Sequence, residues 1–446
     1  MTDTELELPQ GWITVLLPDV VKNEKSAIKR GPFGSHLKKE FFVKSGYKVY
    51  EQQHAINNDF TLGRYYINEE KFQELKNFEV KEDDIIISCS GTIGKIAVAP
   101  KNIEKGIINQ ALLKISLNED IMPREFFKHL FESWMNKSQI ESHGSGMGNL
   151  SSVKDLKKIL ILLPPLNEQK RIVSKIEELF SKIDSAKQSL EYAKLQLEQY
   201  RQSLLKSAFE GKHTEKWESV KLESITEKIL NTNPKDNPDH KFKYCDIASI
   251  DNTNHIIVNP KNFLGKDAPS RARQIIHQED VIFSTVRTYL HNFAIVPSEL
   301  NNQLCSTGFC VLRGDDSIIT KLIFYLVQTI QFESYLNPLQ RGTSYPAVRN
   351  NDILNYTFLL PPLDEQEQIV SQIEQGFSLI ENTTQIIESS LQNLQTMKMS
   401  VLKQAFEGKL VPQDPNDEPA SVLLERIKST KASESTKQRR IKNVKK

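Results

Sequence analysis

The words LPPLNEQKRIVSKIEELFSKID, from Leu163, and LPPLDEQEQIVSQIEQGFSLIE, from Leu360, are one sentence written twice, 197 positions apart. Few features constrain a fold more than a repeat kept in register. SAFEGK from Ser207 and QAFEGK from Gln404 stand at the same separation of 197, so neither copy has gained or lost a residue between its landmarks. Loops tolerate changes of length and regular structure does not. The repeated element is therefore a rigid rod, and its periodicity makes it a helix. Ile176, Leu179, Ile183, Ala186, Leu190, Ala193, Leu197, Tyr200 and Leu204 alternate three and four residues apart, a heptad seam. Ile373, Ile380, Ile387, Leu394, Met397 and Val401 repeat it, with gaps at Gly376, Thr383 and Ser390. Asn167 and Asp364, after each Pro-Pro, are the expected N-caps, with Glu168 and Glu365 in the first turn. Gly211 and Gly408 are the expected C-terminal stops. About 44 residues at 1.5 Å each give a rod of roughly 65 Å.

A rod with one apolar stripe needs a partner, and the other copy is the nearest one. The first helix is basic, through Lys170, Arg171, Lys175, Lys182, Lys187, Lys194, Arg201 and Lys206. The second is acidic, through Asp364, Glu365, Glu367, Glu374, Glu381 and Glu388. These patterns predict an intramolecular antiparallel coiled coil, with intermolecular dimerisation as the competing arrangement.

The segments before the two rods are also distant copies. LPQGWITVLLPDVV from Leu8 resembles TEKWESVKLESI from Thr214, and KEDDIIISCSGTIGKIAVAP resembles HQEDVIFSTVRTYLHNFAIVP. IIISCS, KIAVA, VIFST and NFAIV read as strands. REFFKHLFESWMN and ITKLIFYLVQTIQFESYL read as helices. The expected fold is α/β (α+β): two similar mixed α/β domains, 1–162 and 213–359, separated by long helices over 163–212 and 360–409. A basic, partly disordered tail would follow over 410–446. With antiparallel rods, a pseudo-twofold axis would relate the two domains, an arrangement suited to duplex DNA.

Composition narrows the function. The net charge of +1 argues for no partner, but it is locally segregated. Lys22, Lys25, Lys29, Arg30, Lys38 and Lys39 face one acid, Glu24, and the chain ends in KQRRIKNVKK. No apolar run approaches the roughly 18 residues of a membrane span, and MTDTELELPQGW is too acidic for a signal peptide. Cys89, Cys245, Cys305 and Cys310 have no zinc spacing and read as buried thiols of a reducing cytoplasm. HGSGMGN falls short of a nucleotide loop, and GxxxxGK[ST], HExxH, GxSxG and Asn/Asp-Pro-Pro-aromatic motifs are missing from the sequence. Any chemistry would therefore come from another chain.

The doubled PPLxEQxxIVxxIE, the AFEGK helix ends and LVPQDPNDEPASVLLERIK resemble the specificity subunit of type I restriction-modification systems. GPFGSHLKKEFF, SGTIGKIAVAP, APSRARQ and STVRTYL are similar to sequences of that family's target recognition domains. The resemblance covers nearly the whole chain. It implies a cytoplasmic prokaryotic subunit with no catalytic activity of its own, each domain reading one half of a gapped, bipartite target in double-stranded DNA. The helices would set the gap and dock two methylation subunits, at or near Pro164, Pro165, Glu168, Gln169, Pro361, Pro362, Glu365 and Gln366. It implies an adenine-N6 methyltransferase using S-adenosylmethionine and, with restriction subunits, an endonuclease using ATP and Mg²⁺. Those cofactors would be held by the other subunits. A recognition module fused to a methyltransferase-nuclease and a coiled-coil adaptor without DNA binding are the alternatives.

Base readout needs forked donors and amides, and phosphate contacts need cations or exposed amides. In the first domain Arg30, Gly31, Gly34, Ser35, His36, Lys38 and Lys39 are candidates, as are Ser90, Thr92 and Lys95. An ordinary Gly-Pro loop and a simple hairpin are the competing readings. Ser145, Met147, Asn149 and Lys154 occupy the loop before the first rod. In the second domain the candidates are Arg271, Arg273, Thr285, Arg287, Arg341, Tyr345 and Arg349, with ion-paired surface arginines as the competing reading.

Overall fold

The computed structural model describes residues 8–141, 153–210 and 216–430, which divide into two compact units, Met1–Gln188 with Leu391–Lys446 and Ser189–Ser390.

In the first unit, strand Ile13–Leu16 pairs antiparallel with Leu160–Leu163, Ile13 opposite Leu163. One antiparallel sheet runs Ile28–Arg30, Leu112–Ile115, Ile85–Ser88, Ile96–Val98. A second runs Tyr66–Ile67, Tyr47–Tyr50, Gly106–Ile108, Glu79–Val80, and its central pair is parallel. Ile85, Ile86 and Ile87 are fully buried, which explains a continuous apolar run where a half-exposed strand would alternate. Helix Arg124–Glu141 adds Phe126, Phe127 and Leu130 to the core.

The second unit repeats this plan. Glu218–Lys221 pairs antiparallel with Thr357–Leu360. One sheet runs Lys261–Leu264, Lys241–Cys245, Gln303–Ser306, Ala272–Ile276, again with a parallel central pair. The other runs Phe293–Ile295, Val281–Ser284, Phe309–Leu312. The stretch expected as one helix is two, Thr320–Leu326 and Ile330–Leu336. Thr329 starts the second by accepting the Phe332 amide on its hydroxyl. The four cysteines are free and buried.

The rods are Leu166–Glu210 and Leu363–Phe406. Ile172 and Ile176, from the start of the first, share the first unit's core with Leu402 and Ala405 from the end of the second. Leu205, from the end of the first, shares the second unit's core with Val370 and Ile373 from the start of the other. The pairing is thus antiparallel and within one chain. Lys194 reaches Glu388 at 2.6 Å, as the charge pattern predicts, whereas Lys175 and Lys182 both turn to Glu178 of their own helix.

Three details of the rods depart from expectation. Asn167 and Asp364 are not the caps: the carbonyls of Pro165 and Pro362 accept the Gln169 and Gln366 amides, so each helix starts two residues earlier. Tyr200 and Met397 leave the seam, 50% and 52% exposed, and Arg201 and Lys398 take their places. At Gly376, an added Cβ would lie 2.3 Å from Leu204 Cδ2, so the gap in the pattern is filled from the other helix. Gly408 ends the second rod as expected, at φ +69°, with the Lys409 amide bonding back to the Gln404 carbonyl. Gly211 and the basic KQRRIKNVKK lie outside the described residues.

The segment after the second rod packs on the first unit. Ala420 and Leu424 are buried in its core, the Ala420 amide donates to the Gly11 carbonyl, and Arg171 pairs with Asp417 at 2.7 Å. Residues 420–430 are helical. No helix among the described residues is long and apolar enough to cross a membrane.

Candidate nucleic-acid interface

In the first domain three loops leave the same edge of the all-antiparallel sheet. Arg30 lies opposite Leu113 and Ser88 opposite Leu112, so the loop after Arg30, the hairpin after Ser88 and the turn at 109–111 are neighbours. Arg30 fastens them: its Nε donates to the Gln110 carbonyl at 3.1 Å, and its Nη2 to the Cys89 carbonyl at 3.4 Å. It shapes the edge from within. Gly34, Ser35, His36, Lys38 and Lys39 are exposed on the first loop, Lys38 lying 3.6 Å from Glu40. Ser90, Thr92 and Lys95 are exposed on the hairpin, which Ser88 closes by accepting the Lys95 amide on its hydroxyl.

Beside these loops lies an open groove of about 620 Å³, lined by Lys25, Lys29, Arg30 and Lys157, with Phe33, Phe78 and Gln110. Among the described residues no carboxylate lines it. The basic run contained Lys25 and Lys29, but nothing in the local pattern joined them to Lys157, which topology brings from the end of the domain. Lys154 is exposed on the short helix Val153–Leu156. Ser145, Met147 and Asn149 lie outside the described residues.

The second domain gathers the corresponding loops differently. Thr285 is buried at 7% exposure, and its amide and hydroxyl both donate to the Gly308 carbonyl. It is a strut, with nothing to offer a ligand. Arg287, at φ +50°, donates its amide to the Pro346 carbonyl and Nη2 to the Ser344 carbonyl. Its guanidinium lies 4.6 Å from the Tyr345 ring centre. Arg341 and Ala347 exchange backbone hydrogen bonds, closing a hairpin on which Tyr345 is 70% exposed. Arg341 is ion-paired with Asp352, whose carboxyl it holds below the ordinary range. Arg349 is exposed, and its amide donates to Asp352. Arg273 is tied to Asn233 and the Ser270 carbonyl. Arg271 is exposed and its carbonyl accepts the Thr307 amide beside Gly308. The structure thus joins Thr285, Arg287, Arg341, Tyr345, Arg349 and Arg271, and sets Arg273 apart.

The residues at the helix starts do a different job. Glu168 accepts the Trp12 indole N–H at 3.0 Å, and Glu365 accepts that of Trp217 at 2.8 Å. Gln169 Nε2 donates to the Ile121 and Pro164 carbonyls, and Gln366 Nε2 to those of Ser317 and Pro361. Glu168, Gln169 and Gln366 are at most 1% exposed. They join each domain to its rod and present no surface to another chain.

Among the described residues no group of three or more His, Cys, Asp or Glu is placed to hold a metal. The family model described as type I restriction modification DNA specificity domain matches residues 9–195 and again 214–390. The EcoKI specificity subunit of Escherichia coli strain K12 is 23% identical over 97% of this chain and 98% of its own length. The EcoBI subunit of Escherichia coli is 22% identical over 81% and 82%. The HsdS subunit of Thermoanaerobacter tengcongensis shares the fold, with a TM-score of 0.60 at 20% identity over 92% of this chain and 100% of that one. A chain solved in work on the assembly and conformational transition of the type I R-M system gives 0.67 at 19% identity over 90% and 99%.

Proposed function

The chain belongs to the type I restriction-modification DNA specificity family, and on that premise we propose that each domain, 1–162 and 213–359, reads one half of a gapped duplex target. Membership supports a non-enzymatic, DNA-recognising role in a type I complex. Beyond that, the rods over 163–212 and 360–409 hold the reading heads at a set separation and dock two methylation subunits. The methylation subunits carry S-adenosylmethionine, and restriction subunits added to them carry ATP and Mg²⁺. The complex works in a prokaryotic cytoplasm.

One observation carries this reading: the two domains share the strand order of one four-stranded sheet and the helix joints, but differ at the loop edge. There the first domain has a fourth strand, Ile28–Arg30, and the second has three, with different side chains on the loops. A common scaffold with unlike edges fits two unlike half-sites. The first edge offers a cationic groove for phosphates, with Ser35, His36, Ser90 and Thr92 beside it for base edges. The second offers Arg271, Arg349 and the Arg287–Tyr345 stack. Buried Glu168, Gln169 and Gln366 move the docking surface to exposed faces of the rods.

Mapping N6-methyladenine in cells with and without the gene tests the proposal. A gapped motif that vanishes on deletion is expected, and a loop exchange at 31–39 changes one half only. A continuous motif, or an unchanged methylome, sinks it. Binding of the purified complex to a duplex carrying the motif falls steeply with salt.

A further inference from the structure

Phe33 is, among the described residues, the most exposed large apolar side chain, at 83%, while Phe72, Phe126, Phe127, Phe293, Phe309 and Phe332 are fully buried. Among the described residues no aromatic ring or cation stacks on it. Its backbone is nevertheless held firmly. The Gly31 amide donates to the Leu112 carbonyl at 2.9 Å, and a Cβ at residue 31 would lie 1.8 Å from the Asn109 carbonyl oxygen. Pro32 is buried, and the His36 amide returns to the Phe33 carbonyl at 2.8 Å. A Cβ at residue 34 would meet Gln110 Oε1 at 2.7 Å. An apolar ring fixed in water on a rigid tip is preorganised for an occupant.

The surroundings say which occupant. Phe33 stands on the wall of the groove lined by Lys25, Lys29, Arg30 and Lys157, where no carboxylate lines the wall among the described residues. A polyanion with flat apolar units beside its charges matches both features; an apolar protein surface matches only one. We propose that Phe33 is a wedge: the groove seats a phosphate backbone, and the ring inserts between adjacent base pairs at the first domain's half-site. This rests on the DNA-reading function proposed above and deepens it. Insertion unstacks and kinks the duplex, and pyrimidine–purine steps give way most readily. The first half-site would then be read partly through deformability, at a step that receives no hydrogen bond.

The test uses the full chain assembled with its methylation subunits and a duplex carrying the mapped motif, with 2-aminopurine placed at successive positions of each half-site other than the methylated adenine. A methyltransferase flips its target base whatever residue 33 is. The wild-type complex is expected to raise fluorescence severalfold at one step of one half-site and to bend the duplex. Phe33→Ala loses both and binds about tenfold more weakly, the scale of one aromatic–base stack, whereas Phe33→Trp keeps both. Enhancement that persists in Phe33→Ala overturns the proposal. So does a Phe33→Ala subunit that keeps its DNA affinity but loses the methylation subunits, since the ring would then be a protein contact. Failure of the wild-type complex to bind the duplex strikes the DNA-reading function itself, a distinguishable result.

Discussion

At the start of the first rod, Trp12 is 5% exposed and Glu168 is 1% exposed, under a cover that includes Ala420 and Leu424. The matching joint at the second rod is more open: Trp217 and Glu365 are both only half-buried. Hydrogen bonding runs the other way. Glu168 Oε1 and Gln169 Oε1 have no partner within the described chain, whereas Gln366 Oε1 accepts the Ile319 amide at 2.8 Å. The first joint is thus held more by apolar cover, the second more by polar pairing. Burial also pushes the Glu168 carboxyl above its ordinary range, against the Trp12 hydrogen bond and Arg171, which pull it down. The same words can therefore be stabilised by different physics in the two repeats.

Truncation before Val411 attacks this difference most directly. It should cost the first unit about 4 kcal/mol through lost burial and the cavity left behind. Hydrogen exchange should then accelerate in Ile13–Leu16 and Leu160–Leu163 but not in Glu218–Lys221 and Thr357–Leu360. Equal acceleration in both would erase the contrast. Next, Trp12→Phe should cost about 2 kcal/mol, since it leaves a buried carboxylate without its donor, and Trp217→Phe about 1 or less. Urea midpoints of the two variants compare them.

Acid separates the units in another way. His255 stacks on Phe293 at 4.0 Å, and burial, with Arg201 and His291 nearby, pushes its imidazole down to about 4. A base depressed by folding contributes stability above its ordinary value of 6.5, and loses it as pH falls toward 4. After discounting for partial exposure, the loss is about 1.5 kcal/mol. His255→Phe should remove this pH dependence from the second unit's thermal unfolding between pH 6.5 and 4. The smallest effect is expected at Glu168. An acid raised by folding contributes stability below its ordinary value of 4.5, and loses it as pH rises through the folded value. Glu168→Gln should therefore match or exceed wild-type stability at neutral pH, by under about 1 kcal/mol. Glu365→Gln is the matched control for the lost charge, and thermal melts at pH 4 and 7 read the difference.

The rods and the strands leading into them were legible because both obey a period. Their errors have physical causes. A backbone carbonyl, that of Pro165 or Pro362, starts each helix, and no side-chain pattern records it. The seam slips at Tyr200 and at Met397, matching positions of the repeat, because a helix of 3.6 residues per turn drifts from a strict heptad. The replacements are cations, which an apolar pattern skips. The Arg201 guanidinium lies 4.0 Å from the Phe377 ring centre, and Lys398 Nζ lies 5.0 Å from that of Phe180. Their stems cover apolar surface while each cation, near a ring, also has a polar partner, Gln328 for Arg201 and Asp184 for Lys398. At the candidate interface the glycine loops were legible, but Thr285 as a strut and Arg287 as a brace were not, since their partners Gly308 and Ser344 come from other loops.

Each recognition domain begins and ends on two strands that lie side by side: Ile13 against Leu163 in one, Glu218 against Leu360 in the other. The chain goes out and comes back through a single doorway, and the doorway is closed by the same tryptophan–glutamate bolt. A domain of this kind is a bight of rope clipped to a pole. It can be unclipped and replaced by another of different length or lining without re-threading the rest, provided that the two doorway strands and the bolt are kept.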